Sequence, residues 1–368
     1  MFTGIETGTR GHGWAIATLL IGASVGIAGC HVGDLVHSTG PDSSATDPDT
    51  AGSNPALQAT HLIFEVPPSD VAAGDTIRPT VRVVARNEEG ETAAEFTGEI
   101  TVAITSGAES GSLSGELVRE AVNGVAAFDD LAIDRAAAAY SLSATAAALD
   151  DAVSPPFLVA PAAPDAVELI AGNGQADSVA ATVQQPYVIR VVDRYGNPVP
   201  ATPVAWTVVR GEGSVASEDS RTDGAGSASA IHTFGTAAGD QVVVAAVVGV
   251  PGATVTFVSH ARPGQPAVLE IAREPTSTPA GDIITPPVVV RILDQFGNDA
   301  TQVEDPVSVA IAPFTGTPLA QLSGTLFRTP VDGVVTFDDL SISLTGFGYR
   351  LRFTIEGLSR DSRAFNVY

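Results

Sequence analysis

One stretch occurs three times in this chain: a strand rich in β-branched residues that carries an arginine and ends in a short polar turn. The copies read VRVVARNEEGE, IRVVDRYGNP and VRILDQFGND, and their arginines are Arg82, Arg190 and Arg291. The spacings are 108 residues (190 − 82) and 101 residues (291 − 190). A period of about 100 residues is too long for a solenoid unit and fits one compact all-β domain. We therefore predict three domains: module 1 (60–160), module 2 (165–261) and module 3 (267–368).

A second motif supports the same repeat. GVAAFDDLAI contains Phe128 and GVVTFDDLSI contains Phe337, 209 residues later, which is also the distance from Arg82 to Arg291. Within each copy the phenylalanine and a leucine are three apart, so both can face the core only if the Asp-Asp pair between them forms a bulge or kink. We interpret these aspartates as structural, with metal binding as the alternative. Adjacent strand residues point to opposite faces, which disfavours a shared metal.

The polar turns of modules 2 and 3 have a common chemistry. A short carboxylate at the end of a strand can accept N–H bonds from the turn that it opens, and the Gly-Asn pair that follows allows positive φ. The predicted turn residues are Asp193, Gly196, Asn197, Asp294, Gly297 and Asn298. Module 1 has Ala85 in place of the aspartate, and Asn87 is expected to take over its turn. We favour hairpin construction as their role, with ligand binding as the alternative.

The first 29 residues are typical of an export signal. A basic residue, Arg10, precedes a short apolar run at 14–21, which is too short for a permanent membrane span. Ile27, Ala28, Gly29 and Cys30 then resemble the lipobox of bacterial lipoproteins. This resemblance implies cleavage before Cys30 and lipid on its thiol; a signal peptide cut elsewhere is the alternative. Cys30 is the only cysteine, so a disulfide within the chain is excluded.

Residues 30–59 are expected to form a flexible tether after the lipidated cysteine. The segment is rich in Ser, Thr, Pro, Gly and Asp and cannot bury enough apolar surface to order itself. His31 follows Cys30, whereas aspartate at that position is associated with retention at the inner membrane. The lipoprotein resemblance therefore implies an outer-membrane location, facing either the periplasm or the cell surface.

Charge and residue inventory argue against several classes of function. The formal net charge is −24 and all 18 basic residues are arginine, which disfavours nucleic acid and anionic membrane surfaces as partners. The six histidines include one in the signal and two in the tether, and the rest are isolated. No paired cysteine or histidine motif occurs, so we expect no catalytic residues, no metal site and no cofactor. The chain is predicted not to be an enzyme.

Module 2 carries the most specific family signal. Its D-x-x-G-N-P-V run at 193–199, its V-x-W at 204–206 and its T-D-x-x-G at 222–226 resemble the bacterial Ig-like group 1 domain of invasin and intimin. Modules 1 and 3 lack the T-D-x-x-G element and resemble more distant Ig-like relatives. The resemblance implies a β-sandwich used as a spacer or adhesive stalk, and it brings no catalytic residues. The predicted fold class is all-β, with three tandem Ig-like antiparallel β-sandwiches.

Local propensity and the repeat disagree over residues 136–149, AAAAYSLSATAAAL. Alanine is the best helix former, but the equivalent stretch of module 3, TGFGYRLRFTIEGL, alternates as a strand. Because one fold has to accommodate both sequences, we predict a strand.

Together these features predict a lipid-anchored cell-envelope protein that acts as a structural spacer or adhesive stalk. The alternative is a periplasmic or surface lipoprotein that binds carbohydrate or protein through its module loops. Candidate partners are the membrane, through the lipid, and proteins or polysaccharide of the envelope, a host or a neighbouring cell. An adhesin needs exposed apolar or aromatic residues; the candidates Phe314, Phe327 and Phe347 cannot be placed inside or outside from the sequence.

Overall fold

The computed structural model describes residues 58–109, 111–217 and 220–368, which form strands and turns without a helix. The expected all-β class is confirmed. The export signal, the lipobox and Cys30 lie outside the described residues. Residues Ser53–Tyr368 form one compact unit, which contains every buried core residue that the structure describes. Among the described residues, no helix is long and apolar enough to cross a membrane.

Module 1 is built from two main sheets. Its strands are β1 His61–Val66, β2 Val71–Ala72, β3 Val81–Arg86, β4 Glu99–Ser106, β5 Leu113–Ser114, β6 Val118–Glu120, β7 Val125–Phe128, β8 Ala132–Ile133, β9 Ala137–Thr145, β10 Ala152–Val153 and β11 Phe157–Ala160. One sheet has the order β1-β3-β7 and the other β2-β11-β9-β4-β6, with β10 beside β9 and a small β5-β8 pair. All pairs are antiparallel except β2 and β11.

Module 2 repeats the arrangement with fewer strands. They are β12 Pro164–Ala171, β13 Ala176–Ser178, β14 Tyr187–Asp193, β15 Val204–Arg210, β16 Ser214–Ala216, β17 Ser227–Thr233, β18 Gly239–Val247 and β19 Thr254–Arg262. The sheets have the orders β12-β14-β17-β16 and β13-β19-β18-β15, and β13 runs parallel to β19.

Module 3 follows the plan of module 1. Its strands are β20 Pro266–Arg273, β21 Val288–Asp294, β22 Val307–Ile311, β23 Leu322–Ser323, β24 Phe327–Arg328, β25 Val334–Phe337, β26 Ser341–Ile342, β27 Gly346–Tyr349, β28 Leu351–Ile355, β29 Leu358–Asp361 and β30 Phe365–Val367. Its sheets have the orders β20-β21-β25, β24-β22-β28-β29, β23-β26 and β27-β30.

The alternation of the repeated strand sets its core face. Val81 and Val83 are fully buried, as are the equivalent residues of β14 and β21, whereas Arg82 between them is exposed. Arg82 and Arg291 form ion pairs with Glu65 and Glu270 on the neighbouring strand. Each repeated strand pairs with a strand on either side in its sheet. Its apolar face points inward, and each module has its own core cluster.

The kink predicted at the Asp-Asp pair is present. β7 ends at Phe128 and β8 begins at Ala132, and both Phe128 and Leu131 are buried. The interruption lets two large residues spaced by three enter the same core, which regular alternation would forbid.

The alanine-rich segment of module 1 is a strand over Ala137–Thr145, as the repeat predicts, whereas the last predicted residues, 146–149, form a turn. β9 covers Ala137–Thr145, pairs with β4 and β11, and buries Tyr140 and Leu142 completely. Tertiary pairing outweighs the helical propensity of alanine, because a helix here would leave two sheet edges unpaired and these two core side chains without contacts.

The junctions between modules as a candidate functional site

The turn that follows β14 is organised by one buried carboxylate. Asp193 Oδ1 accepts the main-chain N–H groups of Tyr195 and Asn197, each at 2.9 Å. Its Oδ2 accepts the N–H of Ala162 at 2.8 Å and the side-chain amide of Asn197 at 2.9 Å. Gly196 has φ 78°, which the turn requires and a glycine adopts without steric cost. Asp193 thus holds both its own turn and the linker from module 1.

Asn197 joins this turn to module 1. Its Nδ2 donates to the main-chain oxygen of Asp134 at 2.8 Å, and its Oδ1 accepts the main-chain N–H of Ala136 at 3.0 Å. The side chain is buried. A primary amide carries the same donor and acceptor as a peptide group, so it pairs with a main-chain segment much as a neighbouring strand would. We call this pair of bonds the first asparagine clasp.

Two further contacts strengthen the first junction. Arg135 donates from Nη1 to the main-chain oxygen of Tyr195 at 3.3 Å. Tyr195 packs against the core cluster of module 1, and a Cβ on Gly74 would lie 1.7 Å from the tyrosine hydroxyl oxygen. Only glycine leaves room for that ring, so the glycine of the Ala73-Gly74-Asp75 turn has a steric role at the junction.

The turn after β21 has the same internal bonds. Asp294 accepts the N–H groups of Phe296 at 2.8 Å, of Asn298 at 2.9 Å and of the linker residue Gly264 at 2.8 Å. Its Oδ2 also accepts the side-chain amide of Asn298 at 2.8 Å. Gly297, at φ 90°, occupies the position of Gly196.

Asn298 then binds module 2 as Asn197 binds module 1. Its Nδ2 donates to the oxygen of Thr236 at 2.8 Å and its Oδ1 accepts the N–H of Ala238 at 2.9 Å. These two bonds are the second asparagine clasp. In both clasps every partner atom belongs to the main chain, so the contact does not depend on which side chains the preceding module presents.

The equivalent turn of module 1 has a different construction. Ala85 is buried, and Asn87 Oδ1 accepts the N–H of Glu91 at 2.7 Å. The turn is therefore closed by Asn87, in keeping with the expectation from sequence, and the carboxylate that organises the other two turns is missing.

The electrostatics of the two aspartates follow from these bonds. Burial by itself would raise the pKa of Asp193, but the hydrogen bonds from Asn197, Ala162 and Tyr195 outweigh it and lower the pKa below its usual value. The pKa of Asp294 is lowered in the same way, with Asn298, Gly264 and Phe296 as donors. Both groups are therefore carboxylates at neutral pH, and their charge is balanced by N–H dipoles rather than by a cation.

A polar cleft of about 520 Å³ flanks the second junction. Its acidic lining residues include Asp177, Glu304, Asp305 and Glu356, and Arg262 lies on the module 2 side. A hydrogen bond with Asp305, together with the negative charge of that residue, raises the pKa of Glu356. Among the described residues, no three His, Cys, Asp or Glu side chains come together in a way that could hold a metal ion.

The sequence did not predict the buried polar group of module 2, because His232 belongs to no paired histidine or cysteine motif. Tyr187 Oη lies 3.1 Å from His232 Nδ1 and 2.7 Å from Ser259 Oγ, and the tyrosine ring stacks on Phe257 with centroids 4.5 Å apart. Burial lowers the pKa of His232 and raises the pKa of Tyr187. The alternation of β17 places His232 on the inward face with Ala228 and Ala230, and this pattern could have indicated its burial.

The Asp-Asp pairs have protein partners. Arg119 contacts Asp129 at 2.8 Å, and the N–H of Glu116 donates to the carboxylate of Asp130 at 3.0 Å. In module 3, Asp339 accepts the N–H and hydroxyl of Thr325 and contacts Arg328 at 3.0 Å. Each pair thus ties the strand kink to the neighbouring β5–β6 or β23–β24 connection, which supports the structural interpretation.

The structure places the three aromatic candidates of module 3 at the surface. Phe314 is fully exposed, Phe347 is 86% exposed and Phe327 is 65% exposed. Leu319, also in module 3, is 92% exposed.

Comparison with solved structures finds Ig-like domains of bacterial adhesins. The Escherichia coli adhesin FdeC matches with a TM-score of 0.43 at 14% identity, over 84% of this chain and 97% of the other. InvD of Yersinia pseudotuberculosis matches with a TM-score of 0.42 at 14% identity, over 84% and 97%. Invasin, a bacterial integrin-binding protein, matches with a TM-score of 0.36 at 16% identity, over 83% and 59%. No model of a protein family matches the chain, and no curated protein does.

Proposed function

We propose that this chain is a non-catalytic, lipid-anchored envelope protein whose three modules hold a contact surface on module 3 at a set distance from the membrane. Cys30 is the proposed site of lipid attachment, and residues 31–59 are the proposed tether. The role is that of a spacer with an adhesive surface. Its partners would be components of the envelope, of a host or of a neighbouring cell.

The observation that carries this proposal is the pair of asparagine clasps. A chain of independent domains could be joined by flexible linkers alone, but here each junction has two clasp bonds and a linker N–H held by a buried aspartate. Hydrogen bonds at both sides of a short linker resist bending and twisting. Such construction suits a protein whose function depends on reach.

Module deletion provides the main test, because the clasps bind main-chain atoms. Ala162 and Gly264 hold equivalent places as donors to Asp193 and Asp294. A chain in which residue 161 is followed directly by residue 264 should therefore form a new clasp between Asn298 and the main chain at Asp134 and Ala136. A sandwich with strands of 7–10 residues is roughly 35 Å long, so module 3 should move closer to the membrane by about that distance.

The measurement is the height of a fluorophore on module 3 above a supported bilayer that holds the lipidated protein. Cys30 is the only cysteine and its thiol would carry lipid, so a cysteine introduced at exposed Val331 can be labelled selectively. A matched chain with a second copy of residues 162–263 inserted between modules 2 and 3 should raise the fluorophore by a similar distance. Equal heights in all three chains would contradict the spacer role.

Replacement of module 3 separates a spacer from an adhesive stalk. In this variant a second copy of residues 162–263 takes the place of 264–368, which keeps the number of modules and the clasp chemistry. If attachment of cells that display the protein is unchanged, only length matters. If attachment is lost although the number of modules is kept, module 3 carries a specific contact surface, which is the result we expect.

The cleft at the second junction favours a second candidate function, the binding of a small polar ligand. It is polar and lies between two modules, a common place for ligand sites. Its charged lining residues are four acidic side chains and one arginine, so a cationic ligand would fit best. Substitution of Asp305 and Glu356 by Ala should leave the fluorophore height and cell attachment unchanged if the spacer role is correct.

A further inference from the structure

Three large apolar side chains protrude from two neighbouring segments of module 3, one a loop and the other containing the short strand β27. Phe314 and Leu319 belong to the loop 312–321, and Phe347 belongs to the segment 343–350. All three are more than four-fifths exposed. We call Phe314, Leu319 and Phe347 the tip patch.

The two segments are held together by their own polar groups. Thr317 Oγ1 donates to the oxygen of Thr345 at 2.6 Å, and the N–H of Gln321 donates to Ser343 Oγ at 3.0 Å. Thr315 Oγ1 donates to the oxygen of Ala312 at 2.7 Å. Because these polar groups already have partners inside the protein, removing the segments from water would cost less than for segments that depend on water.

The tip patch lies at the end of module 3 that is opposite to the second clasp. β21 ends at Asp294, beside module 2. In the other sheet, β22 pairs with β28 in the antiparallel direction, and the last residue of β22, Ile311, lies opposite Leu351, the first residue of β28. The loop 312–321 continues beyond that end. β28 ends at Ile355, next to Glu356 in the cleft beside module 2.

The scaffold does not require these residues, as module 1 shows. The repeat offset of 209 places Arg135 at the position of Leu344 and Ala138 at that of Phe347. The loop between β4 and β5 reads GAESG at 107–111 and holds no large apolar residue. In module 1 this same end binds the next module through Arg135 and Ala136. The tip patch thus occupies the end that already serves as an interface elsewhere in the chain.

Stability of the fold does not explain the tip patch either. Phe314 and Leu319 have φ of 63° and 70°, a left-handed conformation that bulky residues adopt only at a steric cost. Glycine or asparagine would adopt it more easily and would expose no apolar surface. Both residues are therefore unfavourable for the folded chain alone, which points to a contact outside it.

The area and charge of the tip patch favour a lipid surface over a second copy. Three side chains of this size expose roughly 500 Å², so two copies meeting at their tips would bury about 1,000 Å², below the usual size of a stable interface. Neither segment contains a charged residue before Arg350. Single side chains that protrude from a protein can insert into the apolar part of a bilayer. Docking on a protein surface would instead require a pocket for each of them.

We propose that the tip patch inserts into the surface of an uncharged, zwitterionic lipid membrane. The net charge of −24 disfavours an anionic surface. This inference rests on the proposed contact role of module 3 and names its partner. It does not depend on lipid at Cys30.

The test is flotation of residues 53–368, the compact unit that contains all the described cores, with vesicles of pure phosphatidylcholine. The triple variant Phe314→Ser, Leu319→Ser, Phe347→Ser should partition at least about tenfold less than the parent, a change of about 1.4 kcal/mol in binding free energy. The matched control is Phe327→Ser, an exposed aromatic of the same module whose strand pairs with Ser308, near the other end of β22. It should bind as the parent does. Unchanged thermal unfolding of both variants shows that folding is not the cause.

Four outcomes would overturn the proposal. They are failure of the parent to float, equal flotation of the triple variant, binding only when phosphatidylglycerol is added, and a concentration-dependent dimer that the triple substitution abolishes. The last outcome would assign the tip patch to a second copy of the chain. The bilayer-height series repeated in the triple variant, whose tip patch cannot insert, does not depend on these outcomes, so failure here can be told apart from failure of the spacer role.

Discussion

The side-chain amide of Asn197 donates to the main-chain oxygen of Asp134, 63 positions earlier in the chain and in the preceding module, at 2.8 Å. Asn298 makes the same contact with Thr236, 62 positions earlier. A turn predicted to close a hairpin is thus also the contact that joins consecutive modules. The aspartate four residues before each asparagine keeps the amide in place, because its carboxylate binds both the side chain and the main chain of that asparagine.

We predict that Asn197→Ala loosens the first junction without unfolding module 2. Both clasp bonds are lost, and the partly buried N–H of Ala136 and oxygen of Asp134 lose a partner, which costs about 1–3 kcal/mol at the junction. Spin labels on modules 1 and 2 should then give a broader distance distribution. Asn173→Ala is the matched control, because Asn173 Oδ1 accepts the N–H of Val258 within module 2. An equally narrow distribution in Asn197→Ala would show that the clasp does not restrain the junction.

Acid should weaken the junctions. The folded-state pKa values of Asp193 and Asp294 are lowered, so their contribution to stability is present above the unfolded value of about 3.9 and is lost as pH falls through the folded values. The distribution of spin-label distances across each junction should be narrow at neutral pH and should broaden in strong acid, below about pH 4.

The variant Asp193→Asn should broaden the distribution of spin-label distances across the first junction already at neutral pH. It should also remove most of the acid dependence of that distribution. Asp223→Asn provides the control, since Asp223 accepts turn N–H groups of Ala225 and Ser227 inside module 2. If the distance distribution across the first junction of the parent does not change in acid, the assigned role of the carboxylate is wrong.

Module 2 should lose stability on mild acidification because of His232. Burial lowers its pKa in the folded state, so the unfolded chain takes up a proton below about pH 6.5 while the folded chain does not. Stability is therefore complete above that pH and declines as pH falls from it toward the folded pKa. Trp206, the only tryptophan in residues 53–368, packs beside Phe257, so its fluorescence reports unfolding of this module.

His232→Phe should abolish this dependence on pH while costing some stability at neutral pH through loss of the bond to Tyr187. The control is His260→Phe, a substitution of an exposed histidine of the same module. The same slope in both variants would mean that another group is responsible.

Asp339→Asn should destabilise module 3 by about 1–2 kcal/mol, because Asp339 accepts two bonds from Thr325 and contacts Arg328. The more exposed Asp338→Asn should cost less than about 1 kcal/mol. Calorimetry with and without calcium separates the structural role from the metal-binding alternative. A rise in the melting temperature of module 3 with calcium that Asp339→Asn removes would favour the metal.

Cys30→Ser should abolish lipid attachment and leave an uncleaved precursor or a soluble chain. Cys30 is the sole cysteine and follows small residues, as in the lipobox that it resembles. Membrane fractionation and detergent partitioning are the measurements, and Ser24→Ala in the signal is the control. Normal partitioning of Cys30→Ser into detergent would contradict the assignment.

The sequence by itself determined the features that depend on neighbours along the chain. The spacing of Arg82, Arg190 and Arg291 predicted three modules of one all-β type. Alternation predicted the inward face of the repeated strand, and the aspartate, glycine and asparagine of the turns in modules 2 and 3 predicted their local hydrogen bonds. These are short-range effects of φ, side-chain direction and hydrogen bonds within a few residues, so a sequence pattern reports them directly.

Only the tertiary structure decided which atoms of the preceding module the side-chain amides of Asn197 and Asn298 bind. It also decided which large apolar residues face water. The partners of the two amides are main-chain atoms, which every residue possesses, so no sequence signal marks Asp134 or Thr236 as acceptors. The exposure of Phe314 and Phe347 likewise depends on whether another segment covers them, and apolar character alone predicts burial. Both properties are set by groups far apart in sequence that meet only when the sandwiches and their junctions have formed.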